Sequence, residues 1–492
     1  MSSQSRDDRS LSRDMGPLAA MSTVVAGTLG AGLFVTLGTA SATTGPSVVL
    51  VVVLSGLLAM CIAINYSWMA TIFPAAAGSY AYVSRTFESR LPGFLVTWSK
   101  WLGYMAADAV LAIGFGSYLQ VFYPSVDPAL AGFGLLTVLF LVNLVGTKGY
   151  SVSQNAIFGV LMLSILVLVI PGSANVDMAN YQPFFTGGFD GFVAAAVPLF
   201  YAYIGIAVAG QMGAEVKNPS RNLPLAMAGG TFVLITLYVW TAAVIYGVVG
   251  DYTTLANSAR PLATAAEAFL GDTGTAVVAF GGLLATASSV HAVMAAGIKM
   301  PYSWSWDEVF PAKFSEVSDR FGTPHWSLLT LYVVAASLTF WSAGLNQAIA
   351  IATFSYLIAY ASVAIAAGYL YATNPEQAAT AGFNPGKWLY LPVVVGGLGS
   401  IGLLTQAANW SALVALNFGA LSTLAIYLPW LAVGIVVFSI YWYRGEQKGT
   451  DVEAILDTLP GVASEEYDPN VGRATDESVG AGDDRVGGAS DD

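Results

Sequence analysis

The sequence predicts an all-α integral membrane protein that crosses the bilayer twelve times, and three observations carry that expectation. Of the 492 residues, 56% are hydrophobic and only 10% charged, with a mean hydropathy of +0.66, which leaves too little polar surface to cover a soluble globule. The apolar residues gather into windows near the ~20 residues a spanning helix needs. The basic residues fall on alternate connections between those windows, as the loops of one membrane face should.

In chain order the windows are 17–40, 46–72, 93–121, 129–147, 153–171, 189–213, 223–249, 275–299, 325–343, 346–372, 388–408 and 412–442. With the amino terminus inside, Arg6, Arg9, Arg13, Arg85, Arg90, Lys148, Lys217, Arg221, Lys299, Lys313, Arg320, Lys387 and Arg444 all fall on or near the inner side, and only Arg260 falls outside. A wrong number of helices would alternate the loops wrongly and spoil this bias. The expectation is therefore a multi-pass protein of the cytoplasmic membrane, in contact with the lipid bilayer, with both termini in the cytoplasm.

Residues 1–15 read as a cytoplasmic N-terminal segment, 16–443 as the transmembrane domain and 444–492 as an acidic cytoplasmic tail. The first fifteen residues lack the short apolar core and cleavage site of a signal peptide, so the first helix is expected to be retained. The tail supplies much of the net charge of −12. Its Gly, Asp and Glu content predicts disorder. Such a tail suits a high-salt, halophilic cytoplasm and equally suits simple solubilisation.

Composition also excludes functions. Cys61 is the single cysteine, so an intrachain disulfide and a cysteine metal cluster are ruled out. No glycine-rich phosphate loop followed by Lys-Ser/Thr is present, so direct nucleotide-driven pumping has no sequence basis. No cofactor and no nucleic-acid partner are expected, and nothing in the sequence signals an oligomeric state.

The most informative stretch is Gly27-Thr28-Leu29-Gly30-Ala31-Gly32, inside the first window. Glycine this dense is expected to break the helix in mid-membrane. Freed backbone groups are costly in hydrocarbon, so a broken spanning helix persists where it lines an enclosed cavity or a binding site. That points to a transporter. Close packing of helices through small residues is the alternative use of the same glycines.

Together with Leu33 and Phe34, this run resembles the first-helix signature of the amino acid/polyamine/organocation (APC) permease superfamily. Phe200-Tyr201-Ala202-Tyr203-Ile204-Gly205, followed by Ala214-Glu215-Val216-Lys217-Asn218-Pro219, resembles the sixth-helix signature and following loop of amino acid permeases. Phe73-Pro74-Ala75-Ala76-Ala77-Gly78-Ser79-Tyr80 and Gly322-Thr323-Pro324 are further echoes, and the similarity runs from about Gly16 to Tyr443. The resemblance implies a 5+5 inverted repeat of the LeuT/APC type, with broken helices 1 and 6. The repeats would span roughly 16–171 and 189–372, followed by two extra helices over 388–442.

It further implies a site for the backbone of an α-amino acid. Half-helix N–H groups would hold the carboxylate at Thr28, Gly30, Ala31 and Gly32, and freed carbonyls near Tyr201, Ala202 and Ile204 would hold the amine. Tyr201 would cover the substrate. For this residue a site role and ordinary helix packing stand about equal.

Charges inside windows carry the remaining expectations. Asp108 lies near the middle of the third, where a carboxylate is expensive unless paired, protonated or facing a cavity. It is expected to bind a substrate amine or to titrate in proton coupling, with satisfaction by helix-packing hydrogen bonds as the alternative. Lys100, two turns earlier, is read either as one half of an inner gate with Glu215 or as a side chain snorkelling to the interface. Ser288 and Ser289 are candidates for a coupling sodium ion, which needs clustered oxygens; serines bonded to their own helix are the equal alternative. The fifth window lacks the lysine that some proton-coupled relatives place close to the first break.

The sequence thus predicts a secondary transporter of amino acids, an ion-coupled symporter or an exchanger, driven by sodium or protons. A polyamine or organic-amine permease is the near rival, favoured by Asp108. A transport-inactive sensor on the same fold is a second. A membrane-embedded enzyme using Asp108 and His291 has no supporting nucleophile–base or metal-ligand spacing.

Overall fold

A segment without access to water must satisfy its own backbone groups, and the apolar windows do so as helices. The computed structural model describes residues 10–145, 150–318, 323–340, 345–408, 423–463, 466–468 and 473–474. Among these, ten helices are long and apolar enough to cross a membrane, and Pro128–Leu144 and His325–Thr339 are apolar but shorter. A helix occupies each window read from the sequence. Arg6, Arg9, Lys148, Arg320 and residues 409–422, where the last window opens, lie outside the described residues.

We number the helices α1 (Pro17–Ala31), α2 (Val48–Ile72), α3 (Arg90–Leu119), α4 (Pro128–Val145), α5 (Tyr150–Ser173) and α6 (Gly188–Gln211, interrupted). They continue as α7 (Gly230–Val248), α8 (Pro261–Gly297), α9 (His325–Thr339), α10 (Leu345–Thr373), α11 (Tyr390–Ala407) and α12 (Thr423–Lys448). Short helices between them are named by residue. α3 and α10 pack together at the centre, with α1, α6 and α8 around them. α11 and α12 form the rim. Only 28% of each apolar stretch there is buried, and Leu391, Leu398 and Val436 face outward, as a lipid-facing surface requires.

The first helix differs from expectation in an informative way. α1 stays α-helical through all the glycines up to Ala31, and only then widens into a π-helix over Gly32–Thr36 before resuming at Leu37–Thr44. The glycines at 27 and 30 serve contact instead. A β-carbon at Gly27 would come within 2.8 Å of the Ala292 side chain, and one at Gly30 within 2.6 Å of the Ala285 carbonyl carbon, both on α8. Small residues here let two helices approach backbone to backbone, so the irregularity falls one turn later than the glycine density suggests.

α6 is interrupted outright. Its α-helical part ends at Tyr201, a turn follows at Ala202 and Tyr203, Ile204–Ala207 is 3₁₀, and Val208–Gln211 is α again. α8 also departs from its window. It begins at Pro261, and Gly271, at φ 63°, separates an outer piece from the stretch the hydropathy marked.

The tail reading is corrected over its first part. α12 runs to Lys448, Val452–Leu456 forms a further helix, which we number α13, and Ile455, Leu459 and Val462 are buried. The acidic average of residues 444–492 conceals these three apolar positions, the first on α13 and the other two in the turn that follows it. Tyr467–Asp468 pairs antiparallel with Arg473–Ala474. On the face that carries both chain ends lie the ion pairs Arg85–Asp307, Lys299–Glu215 and Arg13–Glu466.

Candidate functional site

The two irregular stretches meet. A β-carbon at Gly32 would lie 2.5 Å from the Ala202 carbonyl oxygen, and one at Gly205 would run into the Thr28 hydroxyl. Gly32, at the start of the π-turn, thus faces the turn of α6, and Gly205, in the 3₁₀ turn, faces Thr28 one turn before the π-turn. Tyr238 on α7 bridges them, its hydroxyl lying 3.0 Å from both the Thr28 and the Ala202 carbonyl oxygens.

Other tyrosines reach two further carbonyls of these stretches. Tyr118 of α3 donates to the Phe34 carbonyl at 2.8 Å, and Tyr360 of α10 donates to the Ile204 carbonyl. Backbone acceptors that leave helical pairing in hydrocarbon need a substitute donor, and phenols from neighbouring helices supply it. None of these tyrosines was singled out by sequence reasoning. Their partners lie far away in the chain, and a tyrosine in an apolar window carries no local mark of such a role.

α3 passes alongside. A β-carbon at Gly114 would touch Val35 of the π-turn, and about two turns earlier the Tyr201 hydroxyl reaches the Ala107 carbonyl at 3.5 Å. Between them sits Asp108, fully buried. Neither of its carboxylate oxygens has a hydrogen-bond partner among the described residues. Tyr104, Tyr201 and Tyr356 lie within electrostatic range of it. The hydroxyls of Tyr104 and Tyr356, adjacent to each other, reach no other partner. A buried carboxylate without a hydrogen-bond partner is an expensive arrangement to maintain.

The other expected residues fall as follows. Thr28 turns its hydroxyl back to the Val24 carbonyl at 2.5 Å, the Gly30 N–H donates to the Ser289 hydroxyl at 3.1 Å, and Ala31 ends α1. Tyr201 ends the first α-helical part of α6, and Ala202 and Ile204 lie in its interruption. The anticipated carboxylate side and amine side are thus adjacent.

Ser288 and Ser289 point in different directions. Ser289 donates to the Ala26 carbonyl at 3.0 Å, whereas Ser288 accepts from the amide of Gln154 on α5 at 2.9 Å. The two serine hydroxyls are thus engaged by different helices, α1 and α5. Gln154 lies at the start of the fifth window and escaped sequence reasoning because a neutral amide carries no charge to mark it.

The gate pairing of Lys100 with Glu215 is corrected. Glu215 pairs with Lys299 at 2.8 Å. Lys100 is wholly buried, donates to Ser79 at 2.9 Å, and lies 5.1–5.9 Å from the ring centres of Tyr66, Tyr104, Tyr356 and Tyr360. Cation–π attraction and the hydroxyls of Ser79 and Tyr66 replace a carboxylate there. This also removes the snorkelling alternative, since no part of Lys100 reaches the surface.

Apolar helices of spanning length, two of them irregular where they meet, define a multi-pass membrane protein of the permease kind. The chain belongs to the amino acid permease family, whose profile matches residues 15–438. It is 25% identical to a methylthioribose transporter of Bacillus subtilis (strain 168), over 90% of this chain and 95% of that one. It is 23% identical to a branched-chain amino acid permease of the same organism, over 88% and 94% respectively. A vacuolar cationic amino acid transporter of Arabidopsis thaliana is 26% identical over 69% of this chain and 60% of its own length.

Proposed function

We propose that the protein is a secondary transporter that carries an amino acid across the cytoplasmic membrane by alternating access, with the substrate seated where α1, α3 and α6 meet. The observation that carries this reading is the buried carboxylate of Asp108 on α3, without a hydrogen-bond partner among the described residues and within electrostatic range of Tyr201, where the α-helical part of α6 ends. The carbonyls of Ala202 and Ile204 already accept from tyrosines, and Asp108 offers a substrate ammonium an acceptor that no described residue engages. N–H groups at the π-turn take the carboxylate. An inverted repeat relating the two halves accords with the reciprocal glycine contacts at 32 and 205.

Engagement of Ser288 by Gln154 speaks against sodium and for a proton carried by Asp108, or for exchange. The basic loops speak for both termini being cytoplasmic. The family match and the amino acid permease and transporter among the relatives support the substrate class. A diamine or cationic amino acid is the neighbouring reading, favoured by the same carboxylate.

The test is uptake of a labelled amino acid panel, plus putrescine, into proteoliposomes with imposed proton or sodium gradients. Selective α-amino acid uptake supports the reading. Uptake of putrescine alone moves it to an amine permease, and folded protein that moves nothing in the panel sinks it.

A further inference from the structure

Beyond the transport site, the carboxy-terminal segment after α12 is built as a fastener. Asp451 accepts from the Ala454 N–H at 3.1 Å and so caps α13. Pro460 and Gly461 follow, and Gly461, at φ +80°, turns the chain. Ile455, Leu459 and Val462 are 1%, 1% and 5% exposed, so the segment is seated rather than laid on the surface.

Its contacts reach elements remote from one another in the chain. The Arg85 guanidinium, after α2, donates to the Thr458 carbonyl at 2.8 Å and the Ile455 carbonyl at 3.3 Å while paired with Asp307 beyond α8. The Ala76 N–H donates to the Pro460 carbonyl at 2.8 Å, and the Leu11 N–H, ahead of α1, donates to the Gly461 carbonyl at 2.9 Å. A β-carbon at Gly461 would lie 3.3 Å from that of Ala214, in the loop after α6. One short segment thus joins the same-side ends of α1, α2, α6 and α8.

Those ends lie beneath the site formed by α1, α3 and α6. A path from the site to this face must part them, because Met15 and Val216 are paired backbone to backbone and Lys299 closes on Glu215. Cavities of about 510 and 660 Å³ flank the segment, bordered by Glu308 and Arg444 on one side and by Glu376 and Asp457 on the other. It crosses between them as a strap.

We infer that residues 450–463 are a latch that holds the inner face closed and releases when the transporter opens inward. This rests on the transport reading for its role, but its test needs no substrate. In a Cys61→Ala background, single cysteines replace Ala214, directly under the segment, or Ala209, a turn deeper in α6. Their reaction with a membrane-impermeant maleimide is timed from the side carrying the termini.

Gly461→Val, strained by its positive φ and by contact with Ala76 and Leu11, is expected to release the segment. Labelling at both positions then rises about tenfold, the size of a typical coupling between conformational states. Leu459→Ser removes one buried apolar anchor of the segment and leaves the backbone at Gly461 unstrained, and it is likewise expected to raise labelling at position 209. This second variant decides the question if the valine variant does not fold. Faster labelling at 214 without change at 209, in either variant, overturns the latch and makes the segment a passive cover.

Discussion

Gly32 and Ala202 stand so close across the α1–α6 contact that a single added β-carbon at Gly32 would fall 2.6 Å from both the α- and the β-carbon of Ala202. Backbone cannot retreat as a flexible side chain can. Gly32→Ala should therefore lower stability by about 1–3 kcal/mol through overpacking and abolish uptake by prising the two interruptions apart. Thermal unfolding in detergent and uptake in proteoliposomes read the two effects. Gly134→Ala, where an added β-carbon meets nothing within 4 Å, is the control expected to change neither.

Asp108→Asn keeps the shape of the side chain and removes its charge. Hydrogen bonds to charged groups contribute about 1.5–3 kcal/mol, so substrate affinity should fall about tenfold to a hundredfold. The proton gradient should also lose its power to drive accumulation, because an amide has no proton to carry. Unchanged proton-driven uptake in the variant would move coupling elsewhere.

Ser288→Ala removes the nearer of two acceptors of the Gln154 amide and leaves it the Ser22 carbonyl at 3.5 Å. Loss of one such hydrogen bond costs about 0.5–1.5 kcal/mol, so the unfolding temperature should drop, while the response of uptake to sodium should not change. A sodium response that disappears with this serine would restore the cation site.

Glu215 and Lys299 form a pair that is 20% and 6% exposed. A double-mutant cycle with Glu215→Gln and Lys299→Gln should show coupling on the order of 1 kcal/mol, as expected for residues in contact. Glu215→Gln combined with Lys100→Met should be additive, since Lys100 is held among tyrosines.

The helical fold was legible because hydropathy accumulates along the chain and needs no partner to be read. Signals that depend on partners were not. The glycines at 27 and 30 look like a break and prove to be a contact with α8, because composition alone does not distinguish the two uses. Asp108 stood out as a charge in hydrocarbon. The tyrosines at 118, 238 and 360 did not, since what matters is which distant carbonyl each one reaches. Ile455, Leu459 and Val462 were lost in the average of an acidic tail, and the partner of Glu215 depended on which loop ends the bundle brings together.

The central claim is that Asp108 receives the substrate ammonium, and calorimetric binding to the purified protein tests it most directly. An amino acid taken up by the protein is compared with its analogue lacking the amine, in wild type and in Asp108→Asn. The account predicts that wild type prefers the amino acid about tenfold or more, the discrimination expected of a charge-assisted hydrogen bond, and that the variant loses this preference. Equal preference in both proteins would contradict it and leave the buried carboxylate without a role in recognition.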